Sequence, residues 1–380
     1  MKIVFAALPA YGHVYPLVPL ALACADAGHE VVFACGDPFV GRLPLPTVHG
    51  LPPGFCLADA EAEVKATHPG LRFPDDLTTF ATAFFGEVSA RHAAAQLEPA
   101  LLRIDPDLVV YEGMDVAAPV VAHRLGIPAI AFGLGLYHPI LPDLHRKAAE
   151  TLGAATNLWP ADGYLDPMPP ALQRGRADAV PGRIPIRPVA WAEQVGDVRK
   201  WLGRAAGRPR VYVTLGTVSF GAVGVLRNVV EALAERPVAA LVAVGPEGDV
   251  GSLGPLPSNV HAERFVPQHR VWPLVDLAIQ HGGAGTTLGA AAAGLPQLLL
   301  PQGADHFVNA EALTAAGAGC WLLPGEQDAE RIGAAVDTLL ADGPQRAAAA
   351  VVADEIAALP DPARVVATLV RRANSRAMTA

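Results

Sequence analysis

Lys2-Ile-Val-Phe-Ala-Ala-Leu8, the loop Pro9-Ala-Tyr-Gly-His-Val-Tyr-Pro16, helically spaced apolar residues from Val14 to Ala27 with Gly28 as a stop, and the apolar run Val31 to Cys35 open the chain. Their order decides the fold. A short apolar run bounded by Pro and Gly reads as a buried strand, and apolar residues at helical spacing closed by Gly read as a helix. The opening is therefore a β-α-β unit. The pattern recurs further on: Asp107 to Tyr111 is a strand, Val116 to Leu125 a helix closed by Gly126, and Pro128 to Phe132 the next strand. Repeated units of this kind imply a doubly wound parallel sheet. Between them, Pro74 to Ile104 reads as long helical material and Tyr137 to Gln173 as irregular and apolar.

The stretch Pro181 to Arg210 carries four prolines and reads as a linker, after which Arg210-Val-Tyr-Val-Thr-Leu-Gly216 restarts the scheme of strand, glycine loop and helix. Strands are expected at Ala239 to Val244, Val260 to Glu263, Leu277 to Gln280, Gln297 to Leu300 and Gly319 to Leu323. Helices are expected at Gly285 to Ala293, Asp305 to Ala316 and Ala329 to Ala341. The predicted organisation is an α/β chain with a domain at 1–192, a linker at 193–209 and a second Rossmann-like domain at 210–361. The final helix, 362–380, can pack back across the seam. A chain of 380 residues exceeds what one core usually serves.

Composition excludes several roles. With 52% hydrophobic and 17% charged residues the chain buries large cores and is not disordered. A net charge of -9 and scattered basic residues argue against nucleic acid as a partner. Ile3 to Ala25 lacks charge, but Pro9, Gly12, His13, Pro16 and Pro19 interrupt it, so neither a signal peptide nor a membrane helix is expected and the cytoplasm is the predicted location. The four cysteines, Cys24, Cys35, Cys56 and Cys320, show no CxxC spacing and read as reduced core residues.

Three segments carry chemistry. His13 lies in the loop after the first strand, at the carboxyl edge where open α/β sheets bind ligands. An imidazole there can take a proton from an alcohol, or can simply cap the helix that follows. Glu112, in Tyr111-Glu112-Gly113, ends another strand of the same sheet and can reach the same crevice. It can fix the imidazole tautomer as in an acid-base dyad, or Glu112 or Asp115 can cap the helix beginning near Val116. The third segment is Gln280-His-Gly-Gly-Ala-Gly-Thr-Thr287. It runs from a strand into a glycine turn (Gly282, Gly283, Ala284, Gly285) and a helix, so backbone amides and the helix dipole converge on an anion, with Thr286 and Thr287 adding hydroxyls. A structural glycine turn is the plain alternative. No carboxylate cluster suggests a metal, and the first loop lacks G-x-G-x-x-G, which argues against a nicotinamide or flavin enzyme.

His281 to Thr287, followed by Pro301-Gln-Gly-Ala-Asp-His-Phe-Val-Asn-Ala310, resembles the donor-binding signature of bacterial natural-product glycosyltransferases. Gly12-His13, Thr214-Leu-Gly-Thr-Val218 and Arg264-Phe-Val-Pro-Gln268 extend the resemblance over nearly the whole chain. It implies the GT-B fold, two Rossmann-like domains facing across a cleft, and inversion at the anomeric carbon. It further implies His13 as base with Glu112 where relatives more often have Asp, and Gly12 in the donor loop. Val266 and Gln268 would border the nucleobase; His281, Gly283, Ala284, Gly285, Thr286, Thr287 and Thr217 would hold the diphosphate; Asp305 would contact sugar hydroxyls. His306 stands where many relatives have Gln. Gly289 stands where uridine-preferring relatives carry a ribose-gripping glutamate, so thymidine diphosphate is the expected carrier.

The expected function is thus transfer of a sugar, by preference a deoxysugar, from a nucleoside diphosphate to a hydroxyl of a small apolar acceptor, with no cofactor and no metal. Phe80, Phe84, Phe85, Tyr137 and Trp159 would line the acceptor pocket or else form plain core. A nucleotide-sugar epimerase and a catalytically silent homologue that activates a partner are the rival readings. The expected partners are small molecules, neither nucleic acid nor membrane, with a homodimer as the open oligomeric alternative.

Overall fold

The computed structural model describes residues 1–71, 76–155, 158–193, 198, 201, 207–216, 223–245 and 248–377. The chain divides into two compact units. One comprises Met1–Pro167, Gly175–Arg187 and Pro360–Ala380; the other comprises Met168–Arg174 and Pro188–Leu359.

The first unit is built on strands β1 (Lys2–Ala6), β2 (Glu30–Cys35), β3 (Thr47–His49), β4 (Leu108–Glu112), β5 (Ala129–Phe132), β6 (Tyr164–Asp166) and β7 (Arg183–Pro185). All pair in parallel in the order β3-β2-β1-β4-β5-β6-β7. Helices cover both faces of such a sheet, so its central strands read as unbroken apolar runs, and every residue of β4 and β5 is buried. The order reverses between β1 and β4, which makes their carboxyl ends the switch point.

The second unit repeats the plan with β8 (Arg210–Thr214), β9 (Ala239–Ala243), β10 (Val260–Glu263), β11 (Leu277–Gln280), β12 (Gln297–Leu299) and β13 (Gly319–Trp321), ordered β10-β9-β8-β11-β12-β13 and again all parallel. Its switch point lies between β8 and β11.

Three expectations need correction. Tyr137 to Gln173 is not irregular. Its helix Leu141–Thr151 buries Leu141, Leu144, His145, Ala148 and Ala149, a regular helical stripe, while Pro142 is accommodated in the first turn where no amide partner is needed. The stretch also supplies β6 and a short helix, Pro170–Gln173. The linker starts later than Pro181, because Arg183–Pro185 forms edge strand β7, where a terminal proline is tolerated. Finally, Cys24 and Cys35 are buried and all four thiols are free, but Cys56 is exposed at the start of helix Leu57–Thr67.

Helix Pro362–Ala377 belongs to the first unit. It packs against helix Val18–Asp26 and buries Val365, Val366, Leu369 and Ala373. Among the described residues no helix is long and apolar enough to cross a membrane.

Candidate active site

The first switch point carries a charged hydrogen-bond network. His13 sits on the short helix Tyr11–Val14 directly after β1, and Glu112 is the last residue of β4. Glu112 is fully buried, whereas the His13 side chain keeps 19% of its surface exposed. His13 Nδ1 lies 2.8 Å from Glu112 Oε1. The amide of Leu8 donates to the same oxygen at 3.4 Å, and the Met114 amide donates to Oε2 at 2.7 Å. A carboxylate only accepts, so the imidazole proton resides on Nδ1 and the Nε2 lone pair is the basic site. The helix-cap alternatives separate here. No side chain caps Tyr11–Val14, and at helix Ala117–Arg124 it is the Asp115 backbone carbonyl, not the Glu112 carboxylate, that accepts from the Ala118 amide at 3.2 Å. Burial, and next the Glu112 charge, push the Asp115 carboxyl up to about 8, so it is neutral at pH 7.

The expected acceptor residues fall into two groups. Phe84 is buried in a cluster with Ala60, Val64, Ala83 and Val88, with Phe80 and Phe85 packed against it, a core between helix Leu57–Thr67 and the π-helical stretch Thr82–Ser89. Tyr137 instead stacks on Trp159, which in turn lies 4.6 Å from the ring of buried His145. His145 Nε2 donates to the Gly113 carbonyl, one residue from Glu112. The Tyr137–Trp159 pair is thus linked through His145 to Gly113, next to Glu112, while Phe80 and Phe84 belong to the separate cluster and Phe85 packs against both that cluster and the core on which Tyr137 and Trp159 lie.

At the second switch point, β11 delivers Gln280 and His281 into a turn in which Gly282 and Gly283 leave no room for a side chain. A Cβ on Gly283 would meet His281 Nε2 at 2.4 Å, and one on Gly216 would meet it at 2.6 Å. Helix Ala284–Ala292 follows, with Gly283 as its cap and no side chain capping it. Its first amides have no intrahelical partner, and Gly285 is exposed with open space around it, so the helix start can receive an anion. Thr286 is nearly buried, its hydroxyl 3.4 Å from Gln268.

Thr287 departs from expectation. It is buried, and its hydroxyl accepts from Gln280 Nε2 at 3.0 Å. Gln280 also donates to Gln297 Oε1 and accepts from the Gly282 amide, so two buried glutamines brace the turn. Sequence reading passed over both; a polar residue in an otherwise apolar buried strand was the available signal. It also passed over Asn309, four residues after Asp305, whose Nδ2 donates to the Gly282 carbonyl and to Asp305 Oδ2, both at 2.7 Å.

Asp305 is exposed, Val266 is buried in a cluster with Tyr212 and Trp272, and Gln268 is half-buried. Gly12 is exposed beside His13. Thr217 lies outside the described residues. Gly289 has a neighbour in place of a side chain: a Cβ there would meet Trp272 Nε1 at 2.6 Å. His281 is held uncharged by burial and then by neighbouring His306, its pKa lowered to about 3. No group of three or more His, Cys, Asp or Glu suited to a metal occurs among the described residues.

Solved structures share this architecture over nearly the whole chain. The glycosyltransferase SnogD from Streptomyces nogalater matches with a TM-score of 0.81 at 30% identity, covering 98% of this chain and 99% of that one. Spinosyn rhamnosyltransferase SpnG complexed with thymidine diphosphate matches at 0.81 and 27% identity, covering 97% and 100%. Fold and site thus define a glycosyltransferase of the GT-B class. Residues 227–371 match the family described as erythromycin biosynthesis protein CIII-like, C-terminal domain. The L-demethylnoviosyl transferase of Streptomyces niveus is 34% identical over the full length of both chains. The chain belongs to the family of bacterial antibiotic glycosyltransferases.

Proposed function

We propose that this glycosyltransferase moves a deoxysugar from thymidine diphosphate to a hydroxyl of a small apolar natural-product acceptor, with inversion and with His13 as general base. The observation that carries the reading is the 2.8 Å contact between His13 Nδ1 and a fully buried Glu112. With Nδ1 protonated toward Glu112, Nε2 takes the acceptor proton while the acceptor oxygen attacks the anomeric carbon. Glu112 then stabilises the imidazolium, which is the role of the acid in a Ser-His-Asp triad. Attack opposite the leaving group inverts the centre. The charge that gathers on the diphosphate is met by the amides at the start of helix Ala284–Ala292.

The carrier is read from two facts. A structural neighbour holds thymidine diphosphate, and Trp272 fills the space above Gly289 where a ribose-gripping side chain would stand. The deoxysugar is supported by a relative named aclacinomycin-T 2-deoxy-L-fucose transferase. Tyr137 and Trp159, linked to the dyad through His145 and Gly113, offer an apolar aromatic wall to the acceptor.

The test is acceptor-dependent release of nucleoside diphosphate, with paired thymidine and uridine donors and a library of aromatic and polyketide-like alcohols, in wild type and His13→Ala. Turnover with thymidine donors that drops by about 10²–10⁴ in the variant supports the reading. A variant that keeps its rate removes His13 as base, and strict uridine preference removes the assigned carrier.

A further inference from the structure

His306 occupies the position expected to touch the donor, yet its ring is buried and faces the protein. Its Nδ1 lies 3.4 Å from the Gln302 amide and 3.3 Å from the Gly303 amide, both of which point their hydrogens at it. Its ring meets His281 edge to face, with centroids 4.6 Å apart and planes at 89°. Its backbone is packed under Gly282, where a Cβ would strike the His306 carbonyl at 2.6 Å. One residue thus joins the glycine turn after β11 to the loop 301–305 after β12. Ala304, inside that loop, holds a left-handed φ of 49°, a conformation that a non-glycine residue keeps only when its surroundings enforce it.

We propose that His306 is a positioning residue of the donor site: its unprotonated Nδ1 ties down the 301–305 loop and braces His281, so that nucleotide affinity depends on His306 remaining neutral. Two amide hydrogens converge on one nitrogen, and a proton placed there would repel both. Among the described residues, His281, from the turn after β11, faces the ring, and Asp305, from its own loop, acts on it electrostatically. Burial lowers the His306 pKa and the Asp305 carboxylate opposes that shift, so the ring is neutral at pH 7. Below the ordinary imidazole value of 6.5 the unfolded loop gains a proton that the ordered loop must refuse. Order in the loop is therefore complete above that value and is lost as pH falls through the lowered one. Glutamine at 306 offers an amide oxygen as acceptor and does not titrate.

The inference rests on the donor-site reading above. It is tested by measuring the Kd of thymidine diphosphate between about pH 8 and pH 5 for wild type, His306→Gln and His306→Ala, together with amide hydrogen exchange at 302 and 303 in the wild type. Affinity should fall in the wild type by up to about tenfold per pH unit more steeply than in His306→Gln, one proton's worth of linkage. His306→Ala should bind weakly at every pH. Protection of both amides, corrected for intrinsic rate, should be lost in acid. Superimposable pH profiles for wild type and His306→Gln, or amides that stay protected in acid, overturn the proposal. A wild type that fails to bind the nucleotide at about pH 8 overturns the donor-site reading instead, and the exchange measurement, which needs no ligand, still decides the role of His306.

Discussion

A carboxylate with no exposed surface must find donors for both oxygens, and Glu112 finds three: the Leu8 amide, the Met114 amide and His13. Glutamine at 112 has one accepting oxygen and an amide nitrogen that donates. Facing His13 with that nitrogen reverses the tautomer and puts the proton on Nε2. Glu112→Gln should therefore lower kcat by on the order of 10²–10⁴ with a small change in acceptor KM, measured in steady state. Asp115 poses the opposite problem. Its carboxyl ionises at 3.8 ordinarily and at about 8 in the fold, so folding takes up a proton between those values and stability falls as pH rises across them. Asp115→Asn keeps the shape and removes the titration. Its thermal midpoint should exceed that of wild type, by more at about pH 8 than at about pH 5 and by roughly 2–4 °C for each kcal/mol recovered.

At the scale of single elements, helix Ala284–Ala292 shows two local rules in conflict. Alanine in place of a helix-interior glycine ordinarily stabilises by about 1 kcal/mol. At Gly289, however, the new methyl would stand 2.6 Å from the indole nitrogen of buried Trp272. The rigid ring system cannot yield at its tip alone, so overpacking wins, and Gly289→Ala should destabilise the protein by about 1–3 kcal/mol in urea unfolding. Adding Trp272→Leu should reverse much of the effect of Gly289→Ala, a coupling that a double-mutant cycle measures directly. The strands and most helices were legible because a buried parallel strand is an apolar run and a packed helix repeats its apolar face. Helix Leu141–Thr151 was obscured by Pro139 and Pro142, although its buried stripe is regular, and β7 was obscured by the proline that ends it.

For the whole molecule, the last helix matters more than its position at the end of the chain suggests. Pro362–Ala377 lays Val365, Val366 and Leu369 into the first unit. Removing everything after Leu359 exposes those contacts and should lower stability by on the order of 5 kcal/mol, taking about 1.5–3 kcal/mol for each large apolar side chain. Urea unfolding of the shortened chain checks this, and a curve unchanged from wild type would show that the helix contributes nothing. By itself the sequence determined most of the central strands and many of the helices, that two parallel sheets form, and that His13, Glu112 and the turn from His281 to Gly285 stand at strand ends. These are local properties, carried by periodicity and by the backbone freedom of glycine. Only the tertiary structure decided partners. His13 and Glu112 are 99 residues apart and meet because β4 pairs with β1. Thr287 turns inward because Gln280 and Gln297 claim its polar groups, and His306 faces the backbone because two loops close around it. Which side chains meet is set by strand order and by the packing of one loop on another, and no periodicity within a segment records either.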